Sequence, residues 1–197
     1  MGNSILAKEL LVALVGAVML ACAGLSAPAS AQIFDETMFD GDMIKAIRGG
    51  DNESVNAAIV AGANINDRSG DGSPAIVVAA ENRNEGAIDL LAAAGARLDN
   101  RNRRNDKTAL TVAAELGNAS MVQMLLDFGA DPEHTGSSGE VALIKAARNG
   151  HVNVLEVLIE AGANLDETDL SGSTALEIAE LHRHRQAAQV LRDAGAY

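Results

Sequence analysis

The sequence predicts an all-α solenoid of stacked helix-turn-helix units, and three observations carry that prediction. A Gly-Ala pair recurs at Gly62, Gly95, Gly129, Gly162 and Gly195, at intervals of 33, 34, 33 and 33 residues, so most of the chain is one unit written five times. Each unit holds two short stretches of apolar residues at helical spacing, divided by a turn. A unit of this length cannot bury its own apolar face, so neighbours must stack and each touches only the next.

Ahead of the repeats, residues 1–31 have a different character, with Lys8 near the start, an apolar run from Leu10 to Leu25, and Ala29-Ser30-Ala31 before Gln32. This pattern reads as a secretory signal peptide cut between Ala31 and Gln32. A membrane anchor usually needs about 20 apolar residues; this run is shorter, is interrupted by Gly16 and has no stop-transfer pattern after it. Val18-Met19-Leu20-Ala21-Cys22 loosely resembles the lipobox of bacterial lipoproteins, which leaves lipidation at Cys22 open as the alternative. Residues 32–38 read as a linker, and 39–197 as five repeats bounded near 39–70, 71–104, 105–137, 138–170 and 171–197.

The first repeat is degenerate, yet Met43 to Asp51 aligns with Leu143 to His151 one hundred positions later. Asp51, Asn52, Glu53 and Asn56 give it the polar exterior of a solenoid cap. The fourth repeat is clearest. Its first helix is predicted from Ala142 to Asn149, packed through Leu143, Ala146 and Ala147 and ended by Gly150. His151 opens the second, where Val154, Val157 and Leu158 share a face that Leu155 and Ile159 widen, and Gly162 ends it in a left-handed cap. The fifth repeat closes the stack with Arg185, Gln186, Gln189 and Arg192 outward, so a monomer is expected.

These units resemble the ankyrin repeat across about residues 39–197. The signature stretch stands here as Pro74-Ala75-Ile76-Val77-Val78-Ala79-Ala80, Thr108-Ala109-Leu110-Thr111-Val112-Ala113-Ala114 and Thr174-Ala175-Leu176-Glu177-Ile178-Ala179, with its usual Thr-Pro degraded. The resemblance implies a non-catalytic module that binds a protein through finger loops and the concave first-helix face. The fingers would be 67–71, 100–107, 133–138 and 168–171. The exposed first-helix pairs would be Glu81 and Asn82, Glu115 and Leu116, Arg148 and Asn149, and Leu181 and His182, with Arg48 and Gly49 in the first repeat.

Composition narrows the partner. The net charge is −12 and stays so after the leader's Lys8 and Glu9 are removed, which disfavours nucleic acid. The aromatic residues, Phe34, Phe39, Phe128 and Tyr197, are too few and dispersed to stack bases or sugars. Cys22 leaves with the leader, so the mature chain needs no disulfide and offers no thiol nucleophile.

No G-x-S-x-G, H-E-x-x-H or phosphate loop is present. His182 and His184 do not suggest a metal site, because residues i and i+2 of a helix point apart. No cofactor is expected. The single 34-residue interval falls in the second finger and coincides with Arg101, Arg103, Arg104 and Lys107, a basic loop suited to a partner's carboxylates. Leu116, Leu170 and Leu181 form a candidate apolar strip.

The sequence therefore predicts a module exported to the bacterial periplasm that holds or masks a protein partner. An inhibitor or immunity-type protein masking an exported enzyme, and a lipoprotein tethered at Cys22, are the alternatives.

Overall fold

Ten helices make five pairs in the computed structural model, which describes residues 37–135 and 139–196. They are α1 (Thr37–Gly49), α2 (Asn52–Val60), α3 (Ala75–Glu81), α4 (Glu85–Ala93), α5 (Ala109–Glu115), α6 (Ala119–Asp127), α7 (Ala142–Asn149), α8 (Val152–Glu160), α9 (Ala175–Leu181) and α10 (Arg185–Asp193). The leader with Cys22 and the finger residues Gly136, Ser137 and Ser138 lie outside the described residues. Helix α1 starts at Thr37, inside the segment read as linker.

The first helices stack in the order α1, α3, α5, α7, α9, and the second helices stack alongside them in the same order. Small residues make this possible. Ala79 and Ala80, Ala113 and Ala114, and Ala146 and Ala147 are all fully buried, so successive first helices approach with no long side chain between them. Six consecutive residues of α3, Ala75 to Ala80, are buried, as expected of a helix enclosed on all sides. The second helices add Ile88 and Leu91, Met121 and Leu125, Leu155 and Leu158, and Leu191 to one continuous core.

Capping differs by helix. Thr108 and Thr174 form capping boxes with Thr111 and Glu177, whereas Pro74 and Val141 give no side-chain cap. Asp51, Asn84 and Asn118 cap α2, α4 and α6 by accepting from the amides of Ser54, Ala87 and Met121. His151 and His184 stand at the corresponding place before α8 and α10 without capping. Instead, each imidazole bridges to the previous repeat. The Nε2–H groups of His151 and His184 donate to the carbonyls of Glu115 and Arg148 at 3.0 Å.

Those imidazoles explain two glycines. A Cβ on Gly117 would lie 2.7 Å from the His151 ring, and one on Gly150 would lie 2.6 Å from the His184 ring. The same turn position is Arg83 in the second repeat and Arg183 in the fifth, both left-handed at φ 55° and 61°. After Arg83 the next repeat offers Asn118 in place of an imidazole, and the described chain holds no repeat after Arg183. Gly50 holds the same turn in the first repeat with Asn84 following it and open space around it, so glycine is demanded only where a histidine follows, and elsewhere the turn takes glycine or arginine.

The second interval is longer because of its finger tip. Ser69 donates its amide to the Ser73 carbonyl at 2.9 Å and Asp169 donates to Ser173 at 3.0 Å, whereas in the second finger Asn102 donates to Lys107 at 3.0 Å, one residue further on. The loop's left-handed residue is Gly72, Gly139 and Gly172 in three fingers and Asp106, at φ 56°, in the long one.

Two outcomes are expected from these turns. Arg83→Gly should stabilise the fold by about 0.5–1 kcal/mol by relieving a left-handed arginine. Gly150→Ala should destabilise it by about 2–4 kcal/mol through strain and collision with His184. Urea titration followed by far-UV circular dichroism measures both.

Candidate functional site

Repetition sets a register along the exposed edge of the first helices: Arg48, Glu81, Glu115, Arg148 and Leu181 occupy equivalent positions. The fingers answer most of them. Arg48 lies 3.8 Å from Asp71, Lys107 Nζ lies 2.5 Å from Glu115, and Arg148 bonds Asp169 at 3.1 Å. Glu140 also binds Arg148 and Lys145 and is itself largely covered. Burial pushes the Glu140 carboxyl up, but Lys145 and Arg148 outweigh it and hold the group below its ordinary value. Asp71 and Asp169 are held low chiefly by the hydroxyls of Ser69 and Ser171.

Glu81 behaves in the opposite way. Partial desolvation and then the like charge of Asp71 raise its pKa, against the Asn102 amide, Lys107 and Arg48. Asn102 is 2% exposed and donates from Nδ2 to the Ser73 hydroxyl at 2.6 Å, tying the second finger to the first. Asn82 and Asn149 spend their side-chain amides on the carbonyls of Val78 and Lys145 within their own helices.

The basic finger divides into held and free charges. Arg101 pairs with Asp106 at 3.2 Å and also reaches the Thr135 carbonyl at 3.4 Å. Lys107 is committed to Glu115. Arg103 leans its aliphatic stem over Gly72, with 3.2 Å from its Cβ to the position a glycine Cβ would take. Among the described residues no ion pair engages Arg103 or Arg104, and both are exposed at the tip.

The apolar strip shortens. Leu116 is half-buried and packs against the core, because it caps α5 beside the next repeat. Leu170 and Leu181 remain 81% and 78% exposed. Leu181 is the last residue of α9, and no finger among the described residues covers it.

His182 and His184 do come together, contrary to the expectation from helical spacing. Their rings stack 6.1 Å apart and 8° from parallel, since His182 caps the end of α9 and His184 precedes α10, so a turn joins them. Among the described residues no three His, Cys, Asp or Glu side chains are grouped to hold a metal ion. The sequence reading missed Asp71, Glu140 and Asp169 as the charges that fix the first-helix edge. Their signal was the register itself, one finger carboxylate within reach of each arginine.

Comparison with known families agrees with this architecture. Residues 43–136 match the model for ankyrin repeats in three copies, and residues 125–179 match the model for ankyrin repeats in many copies. An ankyrin repeat-containing protein of Treponema pallidum (strain Nichols) is 32% identical over 105 residues. That match covers 53% of this chain and 35% of the relative, so the chain aligns with about a third of that protein's length.

Glu140→Gln should lower stability by about 1–2 kcal/mol by weakening two charge-assisted bonds. Because Glu140 titrates below its usual 4.5 in the folded state, its contribution is present above that value and is lost as pH falls through the lowered one. The gap between wild type and variant in thermal unfolding should therefore close below about pH 4.5 and stay constant above it.

Proposed function

Residues 43–179 of this chain belong to the ankyrin-repeat family, and from that premise we propose a non-catalytic module that is exported to the bacterial periplasm and holds a protein partner through its finger tips and first-helix face. The observation that carries this reading is the division of charge. Most first-helix charges are neutralised by the chain's own fingers, while Arg103 and Arg104 project from the longest finger without an ion-pair partner among the described residues. Guanidinium groups presented this way suit bidentate pairing with carboxylates of a partner surface.

Rigidity supports affinity. The finger bearing these arginines is tied to its neighbours by Asn102 to Ser73 at 2.6 Å and by Arg68 to the Arg101 carbonyl at 2.9 Å, so little conformational freedom is lost on binding. Export rests on the leader: a short apolar core and an Ala-x-Ala site. Mass spectrometry of the protein from its host should find Gln32 as the first residue, while an acylated Cys22 at that end would replace export to the periplasm with a membrane tether.

Charge reversal tests the binding surface. Arg103→Glu with Arg104→Glu should weaken a crosslinked partner by about tenfold or more, since two exposed cations become repulsive. Circular dichroism and melting temperature should stay unchanged, because neither guanidinium supports the fold. Undiminished crosslinking would move the site off this finger.

A further inference from the structure

We draw no further inference here: the strongest candidate, the exposed face of the second helices, where Val60 is 79% exposed and every charged side chain of α2, α4, α6 and α8 is a carboxylate, joins a scatter of surface acids to isolated apolar side chains, and nothing in the structure shows what covers it.

Discussion

The close stacking of successive first helices through paired alanines is the constraint on which the remaining structure depends. With Ala79 and Ala80, Ala113 and Ala114, and Ala146 and Ala147 fully buried, the repeat spacing leaves no space for even a modest side chain. A fixed spacing places each finger at a fixed offset from its neighbour, and polar groups can then be shared between repeats. Asn66, Asp99 and Glu133 occupy equivalent positions and accept from the backbone amides of Arg97, Asp131 and Asn164 at 2.9, 3.1 and 2.7 Å. The imidazoles of His151 and His184 make the converse link on another edge, donating to the backbone carbonyls of Glu115 and Arg148. These bonds have good geometry because the apolar contacts have already set the distances, and each satisfies a backbone group that a loop would otherwise expose.

The same register decides which charges are free to act on other molecules. A first-helix residue that meets a finger of opposite sign is neutralised within the protein, as Arg148 is by Glu140 and Asp169. More exposed pairs, such as Arg48 with Asp71, contribute little to stability, about 0–1 kcal/mol each. Their larger effect is to remove attractive and repulsive sites from the surface. Along the finger tips and the first-helix edge, what remains is a small set, Arg103 and Arg104 with Leu170 and Leu181, and it is unevenly distributed: cations at the second finger tip and apolar groups toward the last repeat.

The helices were legible because two independent signals agreed. In the fourth repeat the apolar spacing and the flanking glycines both placed a first helix at Ala142 to Asn149, and that helix has those bounds. Legibility ended where the local rule depended on the neighbouring repeat. Gly117 looks like a helix terminator, but its lack of a side chain is also demanded by His151 from the next unit. Arg83, by contrast, gives no hint in sequence of a left-handed turn that three of its four repeat-mates fill with glycine. The stacking of His182 on His184 was missed because both were treated as helical, while a turn changes the direction of the chain between them. Leu116 was read as exposed for a related reason: position in its own helix is visible in the sequence, and the partner that half covers it belongs to the adjoining unit.

A solenoid also has a direction, and its two ends face different problems. The interior interface is apolar and repeats, so an uncapped end would expose a surface complementary to the opposite end of another molecule and invite open-ended association. At the fifth repeat this complementarity is removed residue by residue: Ile159 becomes Arg192, Val152 becomes Arg185 and Ala147 becomes Glu180. Only the backbone frame of the stacking site is kept. Because charged side chains replaced the apolar groups, and Ala179 and Ala188 beneath them are buried, this face is no longer complementary to another repeat. The change is therefore made by side chains alone, while the helix pair that carries them, α9 and α10, repeats the arrangement of the pairs before it.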